Sequence, residues 1–200
     1  SYAFTIDGGF SVGATVNMGL TGELAVATVN DNSDTPIYTA IKLGDVNVTS
    51  NTGTDKFGLT GTISIDYYHS NSAANGYQRL DWTNAFADAA LLNPGADLPT
   101  PTDLTIDFTD DMHYRVAGSV SGTGTNDAFL TAGDVSVTGT AEFAVSKYDR
   151  DLGTLTESTL NSYAFTIDGG FSVGATVNMG LTGELAVATV NDNSDTPIYT

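Results

Sequence analysis

From Tyr2 to Thr28 the large apolar residues keep to even positions: Tyr2, Phe4 and Ile6, then Phe10 through Leu20, then Leu24 and Val26. Period two over this length predicts β-strands with one buried face. The preserved parity excludes two-residue hairpin loops, which pair an even position with an odd one. Three-residue loops at Asp7-Gly8-Gly9 and Thr21-Gly22-Glu23 would set Ile6 opposite Phe10 and Leu20 opposite Leu24, with every large side chain inward. Further on the parity flips, because Ile41 and Leu43 are odd while Val46 and Val48 are even. Gly44-Asp45 between them predicts a two-residue hairpin that turns Leu43 onto Val46.

Alternation returns in Phe57-Leu59 with Ile63-Ile65-Tyr67, in Leu104-Ile106-Phe108, in Met112-Tyr114-Val116, and in Val135-Val137 with Ala141-Phe143-Val145. The sum predicts an all-β fold, an antiparallel β-sandwich of about ten strands per repeat. Residues 82–101 break the pattern. There Asn84 is placed to cap a short helix carrying Phe86, Ala89, Ala90 and Leu91, stopped by Asn93-Pro94-Gly95 and followed by a Pro-rich loop. The segments MGLTGELAV, FGLTGTISI and VSVTGTAEF share a glycine on the apolar parity: Gly22, Gly61 and Gly139. Each is read either as a turn residue or as an inward glycine covered by an aromatic ring.

The organisation is set by a repeat. Residues 1–39 recur letter for letter at 162–200, an offset of 161. Residues 1–161 therefore form one complete unit of arbitrary phase, long enough to bury a core, and 162–200 begin the next. The strand carrying Tyr163, Phe165 and Ile167 is expected to complete the sheet of the first unit by strand sharing. Acids outnumber bases 24 to 6, for a net charge of −18, which repels phosphate backbones and makes nucleic acid an improbable partner. Without cysteine there is neither a disulfide framework nor thiolate chemistry. No apolar run approaches the roughly 18 residues of a membrane-spanning helix.

Candidate chemistry is sparse. Asn30, Asn32 and Asp34 alternate as at the start of a calcium loop, but the Gly that an EF-hand needs next is absent ahead of Pro36, and Ile41 stands where its bidentate Glu should be. A looser Ca2+ site at strand ends would draw on Asp31, Asp34, Asp107, Asp110 and Asp111. In TDDMHYR, two carboxylates lie beside His113 and Arg115, an acid–base combination. Because Met112 and Tyr114 hold the buried parity, the motif reads as a solvated hairpin, and the chain is not expected to be an enzyme. Tyr77 and Trp82, with Tyr67 and Tyr68 nearby, are the candidate platform for a sugar ring.

In its Thr, Ser, Gly, Asn and Asp content and its long identical repeat, the whole chain resembles the giant tandem-repeat surface proteins of bacteria and archaea, among them adhesin stalks and extracellular filaments. The resemblance implies an extracellular or cell-surface location and a structural role, with units joined head to tail and copies of the chain as partners. The alternatives are a polysaccharide-binding or adhesin module that uses the insertion, and a donor-strand filament of separate subunits.

Overall fold

The computed structural model describes residues 1–13, 16–30, 35–54, 57–122, 128–150, 158–191 and 197–199. Among the described residues, ten strands form one antiparallel sheet: β1 (Tyr2–Val12), β2 (Val16–Asn30), β3 (Pro36–Thr54), β4 (Phe57–Ala73), β5 (Met112–Gly122), β6 (Ala128–Ala132), β7 (Val135–Arg150), β8 (Ser158–Val173), β9 (Val177–Asn191) and β10 (Pro197–Tyr199). The all-β antiparallel architecture is the one the alternation calls for. Spatial order follows chain order, except that β6 lies beside β4 and β7 beyond the end of β5, so β5 and β6 share one lane.

The strands are fewer and longer than the turn signals predict. Neither Gly8-Gly9 nor Gly22 turns the chain. β1 and β2 run straight through them, with Gly9 opposite Gly19 and Ile6 opposite Gly22. The turn that preserves parity is seen in the second copy, where Val173 pairs with Val177 around the three residues Gly174-Ala175-Thr176. Gly174 takes φ 53° there, a value that costs a glycine little. Gly44-Asp45 is not a hairpin either. Asp45 adopts φ 50° inside β3, where Asp45 and Val46 stand against Gly22 alone. A β-bulge inserts one residue and moves the following side chains to the other face, which explains the parity flip without a reversal of the chain. A second bulge, at Asp66, sits between β4 and β5.

The register sorts side chains onto two faces of different character. Followed across the sheet, one row reads Phe4, Leu24, Leu43, Tyr68, Val116, Val145, Tyr163, Val187. The row beside it on the opposite face begins Ala3, Ala25, Lys42, His69, Arg115, Ser146. The core lies on this second, small-residue face. Residues 74–111, between β4 and β5, fold across it and bring Trp82, Leu92, Leu104, Ile106 and Phe108 onto Ala25, Ala27 and Ala40. Alanines keep that face low, and the trough they leave is deep enough for the large residues of the covering segment. Leu104-Ile106-Phe108 alternates as read from the sequence, but its backbone joins no strand; Ile106 N–H donates to Leu92 O at 2.8 Å.

The expected orientation of the large even residues is therefore reversed. Tyr2, Phe4, Ile6, Phe10, Met18 and Leu20 lie on the uncovered face, Phe4 41 % and Phe10 61 % exposed. Among the described residues, the layer opposite the sheet is this irregular segment and not a second sheet. The predicted helix is two short 3-10 turns, Ala89–Leu92 and Pro94–Asp97. The first is capped by Asp88, whose carboxylate accepts from Ala90 N–H at 3.0 Å; Asn84 instead donates to Asp81.

Candidate functional site

The covering segment is fastened to the sheet by polar groups that the sheet presents between its alanines. Asn71, on β4, is buried and fully used: its amide donates to Leu80 O (2.9 Å) and Thr109 O (3.0 Å), and its Oδ1 accepts from the Trp82 indole N–H (3.0 Å). Buried polar groups hold only when paired in this way. Beside it, Lys42 donates to Thr105 O at 2.8 Å, and His69 stacks on Phe108 with ring centroids 4.9 Å apart.

Both histidines are held neutral. Arg115 Nε donates to His69 Nδ1 at 2.8 Å, and an arginine has only hydrogens to offer, so this nitrogen carries none. Burial pushes the His69 pKa down to about 4, and the charges of Arg115 and Lys42 add to the effect. The arrangement recurs at the sheet's end. Arg79 Nη1 lies 3.2 Å from His113 Nδ1, and His113 Nε2 lies 2.7 Å from Asp149 Oδ1. His113 is likewise lowered to about 4, by burial first and then by Arg79 and Lys147. Arg79 also pairs with Asp149 and donates through Nε to Asp110 O. Arg150 pairs with Asp111, and Thr109 Oγ1 donates to Asp111 at 2.5 Å. Burial alone would raise the Asp111 carboxyl; the Thr109 and Arg150 hydrogen bonds outweigh it and hold the carboxyl below its ordinary range.

Arg79, Asp110, Asp111, His113, Asp149 and Arg150 line an open cleft of about 610 Å³ with Tyr77, Lys147 and Thr159. A carboxylate beside an imidazole is the start of a proton relay. Here, however, the second imidazole nitrogen already accepts from Arg79, so the ring has no free lone pair with which to take a proton from a substrate. What the arrangement does is bolt the covering segment, β5 and β7 together.

The sequence candidates separate. Trp82 is 1 % exposed and stacked against Phe86 at 6.0 Å, so no sugar ring reaches it; it is a core residue, and the expected platform is corrected accordingly. Tyr77 is exposed and meets Tyr38 edge-on at 6.0 Å. Asp31 and Asp34 lie outside the described residues. Asp110 and Asp111 border the cleft; among the described residues, no three acidic or histidine side chains gather as a metal would require. Met112 is buried, but a bulge between Met112 and Tyr114 returns Arg115 to the covered face, so His113 and Arg115 are not solvated together. Of the recurring glycines, Gly61 has the Phe129 ring 3.2 Å from where a Cβ would sit, Gly22 abuts Val46, and Gly139 abuts the β8 backbone; none turns the chain. Tyr163, Phe165 and Ile167 lie on β8, opposite Val145, Phe143 and Ala141 of β7. Asn71 and Asp149 escaped the sequence reading, since single polar residues in a polar-alternating strand give no signal of what they face.

No protein family, curated protein or solved structure matches the chain.

Proposed function

We propose that the chain is a stretch of a structural protein, an extracellular fibre or surface stalk, in which each 161-residue unit adds lanes to one continuous sheet. The observation that carries this reading is the junction. β8 repeats the sequence of β1 and pairs with β7 over 16 residues, from Val135 opposite Val173 to Arg150 opposite Ser158. Between β1 and β8 lie five lanes, so one unit occupies six. An even number brings β8 back to the direction of β1 in an antiparallel sheet, and the pattern can repeat by simple translation.

The register also agrees with propagation. The row that leaves β1 at Phe4 reaches β8 at Tyr163, the copy of Tyr2; the row from Gly8 reaches Ile167, the copy of Ile6. The stagger is two residues per unit on both sides of the bulges. Being even, it keeps the same face outward in every unit. Two residues of ~3.3 Å over six lanes of ~4.8 Å tilt the strands by roughly 13°, against about 35–45° in closed barrels. A register of this kind extends a ribbon and does not close one.

Filaments of the native protein should show an axial period of about 29 Å, six strand spacings, in diffraction or cryo-electron microscopy. An intact native polypeptide whose mass is not a multiple of about 161 residues would point instead to separate subunits joined by strand donation, and a particle without that axial period would sink the reading.

A further inference from the structure

The uncovered face of the sheet is apolar and, among the described residues, carries no second layer. We infer that it takes the same face of a second copy of this chain, so that two sheets stack about 10 Å apart as the layers of a sandwich. The proposal goes beyond the array and stands whether or not repeats continue.

Size is the first argument. Tyr2, Phe10, Met179, Leu181 and Leu185 are each more than half exposed, and at least ten further large apolar residues of the same rows are exposed by a third or more. With aromatic side chains of ~150–250 Å², this face offers on the order of 1,000 Å² of apolar surface. A stable pair needs about 800 Å² from each partner, whereas the largest patch on an ordinary monomer is about 300–600 Å².

Continuity and charge are the second and third. The Phe4 row crosses eight strands without a polar residue, and it passes the junction between β7 and β8 without interruption. Neither that row nor the parallel row from Gly8 through Leu20, Ile63 and Val120 to Ile167 contains a charged residue. On the strands, Glu23, Glu142, Asp168 and Glu184 occupy the opposite parity. The centre of this side is thus free of acids, the charge depletion found at the centre of protein interfaces, and of the charged residues that share its parity on β7, Lys147 and Asp149 lie at the sheet's end, Asp149 paired with Arg79. A bilayer is the competing occupant of such a face, and vesicles of neutral lipid distinguish it from a second copy.

The test is the association state of the 200-residue chain by sedimentation equilibrium from micromolar to millimolar concentration, with phosphatidylcholine vesicles in parallel. A dimer is expected. The pair Tyr68→Lys and Phe165→Lys, both on exposed positions of this face, should weaken it at least a hundredfold, while Ala186→Lys on the opposite face of β9 should leave it intact. Circular dichroism reports whether each variant keeps its sheet. Because the chain lacks cysteine, Tyr68→Cys supplies one thiol whose reaction with a water-soluble maleimide should slow as concentration rises. A monomer throughout the range overturns the proposal, and so does a chain that floats with the vesicles or stays dispersed only in detergent.

Discussion

Trp82 and Asn71 show how much of the covered face depends on a few side chains. The indole fills the trough over the alanines and spends its one N–H on Asn71, which in turn ties down two carbonyls of the covering segment. Trp82→Ala opens a large cavity and leaves Asn71 Oδ1 without its donor; the expected cost is about 3–5 kcal/mol, read from urea unfolding. Since Trp82 is the single tryptophan, a blue-shifted emission in the parent chain is the accompanying signature. The histidines give stability a pH dependence. Their folded pKa values, about 4, lie below the ordinary 6.5, so between these limits the unfolded chain binds protons that the folded one refuses. Stability is complete above about 6.5 and falls as the pH drops from there towards 4. The urea midpoint should follow that course, and His69→Gln with His113→Gln should flatten it; a wild-type midpoint constant over the window would show that the rings are not held neutral. The sequence revealed the histidines and arginines but not their partnership, because the two residues of each pair are separated by 46 and 34 positions.

At the scale of elements, alternation was a sound guide to strands and a poor one to where they end. Glycines inside β2 suggest turns, yet their neighbours across the ladder need the space that a missing side chain leaves. Val46 lies within 2.9 Å of a Cβ built on Gly22, and Thr49 within 2.7 Å of one on Gly19. Bulges are equally hard to read, since an inserted residue and a two-residue hairpin flip the parity alike. The choice of buried face was legible only as a periodicity: two chemically distinct faces were evident, but which one the insertion covers depends on alanine spacing meeting bulky residues some 60 positions away. Gly139 bears directly on the junction. It takes φ 134°, and a Cβ there would lie 2.4 Å from Asp168 O and 2.5 Å from Gly169 Cα on β8. Gly139→Ala should cost about 1–3 kcal/mol and do so locally. Hydrogen exchange should quicken across β7 and β8 while the amides beneath Trp82 stay protected; an unchanged pattern would mean that the β7–β8 approach is looser than described.

For the whole molecule, the second copy sets the same strands in different surroundings. Ala186 and Ala188 repeat Ala25 and Ala27 and occupy the same ladder positions, yet they are exposed where the first pair is buried. The strands are identical and their surroundings differ: Ala25 and Ala27 lie between β1 and β3 beneath residues 74–111, whereas β9 pairs with β8 and, at its end, with β10. The repeat itself was plain in the sequence. That its two copies would share one sheet, and with a stagger that preserves the faces, required the bulges at Asp45 and Asp66 to be located.

The order of lanes also bears on time. Every strand of the main path pairs with the one completed just before it, β6 filling the remainder of the β5 lane, so the chain never waits for a distant partner. Loop-closure entropy stays small at each addition. A polypeptide of many such units emerging slowly from a ribosome or an export channel can lay down its sheet as it appears, with the newest strand serving as template for the next. The same open edge that makes isolated sheets prone to aggregate is then occupied from within the molecule, at the pace of synthesis.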